Sequence, residues 1–128
     1  MRTSIIIPTL NEAERIGAAI EKARLVNPAE IVVVDGGSND GTLAAASPAD
    51  QVLTAPRGRA AQQNAAAAAC SGDVFLFLHA DCWLEPGSLE QISRTLADPH
   101  CVGGCFRQQI DAAGRRFRWL ECGNAWRV

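Results

Sequence analysis

Residues 31–42 read IVVVDGGSNDGT. The apolar run Ile31 to Val34 meets no polar interruption until Asp35, and behind it come Gly36, Gly37, Ser38, Asn39, Asp40 and Gly41. An apolar run of strand length followed by turn formers is the pattern of a strand buried on both faces, as inside parallel sheets. Asp35 is therefore expected at the strand's carboxyl end, where open α/β sheets place their ligands. Glycine lets backbone approach a ligand closely, and exposed N–H groups in such a loop, those of Gly37 and Ser38 among them, can hold an anion. Asp40, Gly41 and Thr42 then open a helix. Two readings fit this loop: a ligand cradle, or a βα turn whose Asp and Ser cap the next helix. The dinucleotide fingerprint GxGxxG does not fit, because Gly36, Gly37 and Gly41 lack its spacing.

Working outward, Thr3 to Ile7 is strand-like, and Pro8 is expected to end it by removing a ladder donor. Asn11 is a natural N-cap, with Glu12 and Glu14 bringing negative charge to the positive end of a helix. Ala13, Ile16, Ala19, Ile20 and Ala23 recur at helical spacing as far as about Leu25, and Asn27-Pro28 breaks that helix. Beyond the glycine loop, a short helix over Thr42–Ala46 is closed by Pro48, and Gln51–Thr54 is a weaker strand. Pro56-Arg57-Gly58-Arg59 leads into Ala60–Cys70, an alanine-rich helix whose small side chains allow close approach to a sheet. Val74–Leu78 is a further continuously apolar run, read as a buried strand, and it ends at His79, Ala80 and Asp81. A helix is expected from Pro86 to Ala97, stopped by Pro99. Cys101–Ile110 is strand-like, Asp111–Gly114 a turn, and Arg115–Val128 the start of a last helix. Alternation of strands and helices argues for a single layered α/β domain over 1–128 with a mainly parallel sheet.

Composition narrows the class. Of 128 residues, 48% are hydrophobic and 20% charged, which marks a folded globular chain rather than a disordered one. The net charge of −2 and isoelectric point near 5.6 give no reason to expect affinity for nucleic acid. Arg107, Arg115, Arg116, Arg118 and Arg127 crowd the last quarter, as a face toward a negative partner or a solvated helix face. The longest apolar run is strand-sized, too short for a membrane span. The chain enters a strand pattern directly, without the layout of a signal peptide, and is expected in the cytoplasm. Five cysteines at irregular positions point to reduced thiols rather than a disulfide framework. A zinc site from His79, Cys82, His100, Cys101 and Cys105 would need paired spacing that the sequence lacks.

Asp35 and Asp81 both follow apolar strands directly, so in a parallel sheet they share one edge. One carboxylate there can accept hydrogen bonds from a base or sugar, while another can hold a divalent cation against phosphate oxygens. Arg57 and Arg59 enter a helix at the same edge and can make charge-assisted contacts to a diphosphate. The plainer reading is that the acids cap their loops and the arginines are solvated.

Taken in order, IIIPTLNE, VVVDGGSNDGT and RGRAAQQNAAAAACSGDVFLFLHAD resemble the nucleotide-sugar-binding half of family 2 glycosyltransferases, over Thr3 to about Phe106. The resemblance implies the GT-A fold, a Rossmann-like three-layer α/β sandwich, and transfer of a sugar from a nucleotide-diphosphate sugar to an acceptor hydroxyl, with inversion at the anomeric carbon. It implies that Pro8, Thr9 and Glu12 surround the nucleoside, that Asp35 binds the base, and that Arg57 or Arg59 approaches the diphosphate. Asp81 matches the final acid of the family's Asp-x-Asp element and would hold Mg2+ or Mn2+ to stabilise the departing diphosphate.

Two residues depart from the pattern. His79 replaces the first acid of Asp-x-Asp, giving the His-Ala-Asp variant of a bacterial subgroup and removing one carboxylate from the site. Gly36 replaces a frequent second Asp. The family also continues into an acceptor-binding half that carries the catalytic base, whereas only Asp111 and Glu121 follow Asp98 here, neither in a matching motif. The expectation is a piece of a longer protein, with a non-catalytic nucleotide-sugar-binding or assembly module as the alternative. Phe117, Trp119 and Trp126 are core residues, or, left uncovered, a surface for self-association into a homo-oligomer.

Overall fold

The computed structural model describes residues 1–110. The chain divides into two compact units, Met1–Arg94 and Thr95–Val128. The first unit carries the expected α/β architecture. Strands β1 (Thr3–Thr9), β2 (Glu30–Asp35), β3 (Gln51–Thr54) and β4 (Val74–Phe77) alternate with helices α1 (Ile16–Arg24), α2 (Thr42–Ala45) and α3 (Arg59–Ala69), and α4 (Ser88–Thr95) follows. The sheet is parallel throughout, in the order β3-β2-β1-β4.

The central pair forms because both strands are fully apolar where they cross. Ile5, Ile6 and Ile7 face Ile31, Val32 and Val33 in register, and none is exposed. Alternate residues serve opposite faces of the sheet. Ile5, Ile7, Ile31 and Val33 pack under Ile16, Ile20 and Ala23 of α1, whereas Ile6, Val32 and Val34 meet Ala66 of α3. Burying each Ile or Val side chain contributes roughly 1.5–3 kcal/mol, so these strands dominate the stability of the unit.

Four local expectations are corrected. Pro8 does not end β1: it pairs with Val34, and the strand runs to Thr9 opposite Asp35. Past Pro8 the pairing continues, with Gly36 N donating to the Thr9 carbonyl at 2.9 Å, so the strand tolerates the missing donor. Asn11 does not cap α1, which starts at Ile16 after Arg15 without a side-chain cap; Asn11 instead takes a left-handed φ of 55°. β4 lies at the sheet edge, so Leu76 joins the α1-side core while Phe75 and Phe77 stay exposed on the α3 side. The helix expected over Pro86–Ala97 is confined to Ser88–Thr95, because Gly87 adopts a φ of 85°.

In the second unit no strand forms over 101–110, and two turns precede it, with Asp98 N donating to the Thr95 carbonyl and Cys101 N to the Asp98 carbonyl. The expected turn at Asp111–Gly114, the helix from Arg115 and the self-association surface of Phe117, Trp119 and Trp126 lie outside the described residues. Among the described residues no helix is long and apolar enough to cross a membrane.

Candidate functional site

At the carboxyl ends of the strands the β1–α1 and β2–α2 loops are tied together by side chains from each. Asp35, only 1% exposed, turns its carboxylate onto its own loop. Its Oδ2 accepts from the backbone N–H of Gly37 (2.9 Å) and Ser38 (2.8 Å), and its Oδ1 accepts from the Ser38 hydroxyl. Gly37 makes the turn possible with a φ of 92°. Ser38 Oγ in turn accepts from Asn11 N at 2.8 Å, and Asn11 Oδ1 accepts from Asn39 N at 3.0 Å. One turn further on, Thr42 Oγ1 accepts from Glu12 N (2.9 Å) while Asp40 Oδ2 accepts from Ala13 N (3.3 Å). The Thr42 hydroxyl, above all, holds the Asp40 carboxyl below its ordinary range. Asp35 and Ser38 thus organise their own turn rather than cap α2, whose N-cap residue Gly41 has no side-chain cap bond.

Beneath it lies a residue that sequence reasoning passed over. Gln62 of α3 is 6% exposed and donates Nε2 to the carbonyls of Thr9 and Val34, both at 2.8 Å. The only signal in the sequence was a polar residue four positions before Ala66, on the stripe that α3 buries. A Cβ on Gly36 would come within 3.1 Å of that amide, a tight contact to which the Gln62 side chain would have to yield.

Because β2 and β4 flank β1 and all are parallel, Asp35 and the loop after β4 lie along one edge. Thr9 ends the strand between them, nearly buried, with Oγ1 donating to the Val34 carbonyl at 3.4 Å. Pro8 and Glu12 flank it; Glu12 pairs with Arg15 at 3.4 Å. Arg57 and Arg59 are exposed where β3 gives way to α3, around Gly58 at a φ of 137°. Among the described residues neither makes an ion pair.

His79 and Asp81 are exposed, on a loop whose Cys82 N–H donates to the His79 carbonyl at 3.0 Å. Asp81 faces a cleft of about 280 Å3 with Glu14, Arg15 and Lys22 of the first helical segment and with Trp83. Among the described residues the Cys82 thiol donates to Asp81 Oδ1 at 3.4 Å. Burial, and then the neighbouring Asp81, push that thiol up. Asp35 and Asp81 therefore share an edge but not a hydrogen-bond network. Among the described residues no three His, Cys, Asp or Glu side chains converge on one point, so the zinc cluster of His79, Cys82, His100, Cys101 and Cys105 does not form. A lone carboxylate suits a cation that completes its shell with ligand oxygens and water, as Mg2+ does beside phosphates.

These features define a parallel α/β protein with the loops after β1, β2 and β4 at the carboxyl edge of its sheet and two exposed arginines at the start of α3. The glycosyl transferase family 2 model matches residues 4–124. The chain belongs to that family. It is 30% identical over 134 residues to the undecaprenyl-phosphate 4-deoxy-4-formamido-L-arabinose transferase of Serratia proteamaculans, covering 94% of this chain and 40% of the relative. The enzyme of the same name from Yersinia enterocolitica is 30% identical over 120 residues, covering 83% of this chain and 37% of that one. Among solved structures, glucosyl-3-phosphoglycerate synthase from Mycobacterium tuberculosis, in complex with Mn2+, UDP-glucose and glycerol 3-phosphate, superimposes with a TM-score of 0.63 at 26% identity. That match covers 77% of this chain and 41% of the synthase. The fold is that of the GT-A glycosyltransferases, and the chain spans about two-fifths of the length of these relatives.

Proposed function

We propose that this chain is the donor-binding part of a glycosyltransferase that moves a sugar from a nucleoside-diphosphate sugar to an acceptor, with inversion and with a divalent cation. The observation that carries the reading is that Asp35 and the Asp81 loop close two parallel strands on either side of β1. Three loop donors occupy three of the four lone-pair positions of the Asp35 carboxylate, leaving one on Oδ1 for a base N–H. Pro8, Thr9 and Glu12 form the wall around the nucleoside, Gly37 and Ser38 the turn beside it, and Arg57 and Arg59 the cationic approach to the diphosphate. His79 adds an imidazole where the family has an acid, so Asp81 alone supplies a protein carboxylate to Mg2+ or Mn2+. That cation, when bound, draws charge from the departing diphosphate. The synthase of similar fold was crystallised with Mn2+ and UDP-glucose, which supports a uridine donor. No described residue is assigned as the base. The free thiols of Cys70, Cys82, Cys101 and Cys105 support a reducing, cytoplasmic setting.

The test is thermal unfolding with UDP- and GDP-sugars and Mn2+. A donor raises Tm, and Asp35→Ala and Asp81→Ala each abolish the rise. Circular dichroism confirms that the Asp35 variant, which strips an acceptor from its loop, is still folded. A flat response to the whole panel of donors overturns the proposal.

A further inference from the structure

Past β4 the chain leaves the sheet, and little holds it. Leu78 N donates to the Ile6 carbonyl at 2.9 Å as the last bond to β1, and the Cys82–His79 turn follows. From there the residues alternate. Ala80, Cys82 and Leu84 are partly buried against the α1-side core, while His79, Asp81 and Trp83 are exposed. Asp81 and Trp83, two positions apart, line the same cleft. What fixes one therefore constrains the other.

Trp83 is 43% exposed, and its ring is covered by Lys22 of α1, whose Nζ lies 3.9 Å from the ring centroid. A cation over an indole face is attracted by the ring quadrupole. The inward residues, two of them no larger than Ala or Cys, hold the segment only lightly by packing. Among the described residues the Lys22–Trp83 contact is a directed link between this segment and α1.

We infer that Lys22 and Trp83 are a positioning pair: they lock the His79–Leu84 loop onto α1 and so set where the Asp81 carboxylate stands. The inference rests on the proposed role of Asp81 for its consequence in cation binding, but the lock itself is a property of the fold. Neither residue touches the donor; both act through Asp81.

The test uses the full chain with Lys22→Gln, Lys22→Arg and Trp83→Leu. Amide exchange of Cys82, whose N–H is bonded within the loop, reads the lock directly. The Mn2+ concentration that half-saturates UDP binding reads its consequence. Lys22→Gln and Trp83→Leu are expected to speed Cys82 exchange and raise the Mn2+ half-point by about two- to fivefold, the size of one exposed cation–π contact. UDP affinity without metal stays the same, and Lys22→Arg, which keeps the cation over the ring, restores both readouts. Unchanged exchange in Lys22→Gln and Trp83→Leu overturns the lock. Faster exchange with an unmoved Mn2+ half-point overturns the positioning of Asp81 and leaves a purely structural contact. If the parent chain binds UDP without any response to Mn2+, the role assigned to Asp81 falls, and exchange alone decides the lock.

Discussion

Gln62 Nε2 lies 2.8 Å from the carbonyl oxygen of Thr9, and the same nitrogen reaches the Val34 carbonyl at 2.8 Å. One side-chain amide on α3 thus bridges the carboxyl ends of the two central strands, directly under the loop that follows Asp35. Gln62→Leu keeps the volume and loses both donors. Neither carbonyl is orphaned, since Thr9 O keeps Gly36 N and Val34 O keeps Thr9 Oγ1. The expected cost is therefore about 1–2 kcal/mol rather than that of a stranded polar group. Urea unfolding measures it, and a loss under about 0.5 kcal/mol, the scatter of ordinary surface changes, would show that the bridge does not matter.

At the opposite edge of the sheet, Gly72 is pressed against the start of β1. A Cβ there would stand 2.4 Å from Ser4 Oγ and 2.9 Å from both Arg2 O and Ser4 N. Two of those contacts are backbone, so rotamer change cannot relieve them. Gly72→Ala is expected to destabilise by about 1–3 kcal/mol, as overpacking does. The folded fraction should bind nucleotide with parent affinity, because the substitution lies at the amino ends of the strands. Loss of affinity in molecules shown by calorimetry to be folded would contradict that separation.

How far these features were legible in the sequence depends on their range. The β2 run and the Ile stripe of α1 were readable because burial on both faces, or on one helical stripe, leaves a pattern in adjacent residues. The order of Asp35 and Asp81 along one edge was readable because parallel strands must end on the same side. Asn11 was misplaced for a physical reason: its side chain serves Asn39, 28 positions away, and no local rule separates that from a cap. Gln62 was hidden in an alanine helix for the same reason. β4 reads as apolar throughout, yet an edge position leaves Phe75 and Phe77 exposed, and strand order is not written in any single strand.

Glu30 gives the acid response. Its carboxylate, 8% exposed, accepts from Ser4 Oγ (2.6 Å), from Ser71 N (2.6 Å) and Oγ (3.0 Å), and from Gln51 Nε2 (3.2 Å). The Ser4 hydroxyl foremost, with Ser71 and Gln51 adding and burial opposing, holds this carboxyl below its ordinary 4.5. A depressed value in the folded state means that ionised Glu30 stabilises the fold fully above about pH 4.5, and that this is lost as pH falls through the folded value. Stability is expected to decline on acidification below that point, and Glu30→Gln to flatten the decline while lowering stability at pH 7. Asp50 contributes in the same sense: burial pushes it up, but Arg24 and the Ile31 N–H outweigh that and hold it low. Some slope therefore survives in the variant. Identical pH profiles for parent and Glu30→Gln would remove Glu30 from the account.

Asn11 combines two demands that substitutions can separate. Its φ of 55° favours residues without a Cβ penalty, and its Oδ1 receives Asn39 N at 3.0 Å, linking the first loop to the one after Asp35. Asn11→Asp keeps the acceptor and tolerates the left-handed conformation, so stability and nucleotide affinity should stay near the parent. Asn11→Gly keeps the backbone and loses the acceptor; Asn11→Ala loses both. The expected order of stability is Asp, then Gly, then Ala, with Ala about 1 kcal/mol below Gly because an L side chain pays for left-handed backbone. Nucleotide affinity should instead fall together in Gly and Ala, since each cuts the same tie between the loops. Unfolding and UDP titration on the three variants check both orders at once. Equal stability of Gly and Ala would mean that the loop relaxes out of the left-handed conformation once the Asn39 bond is gone.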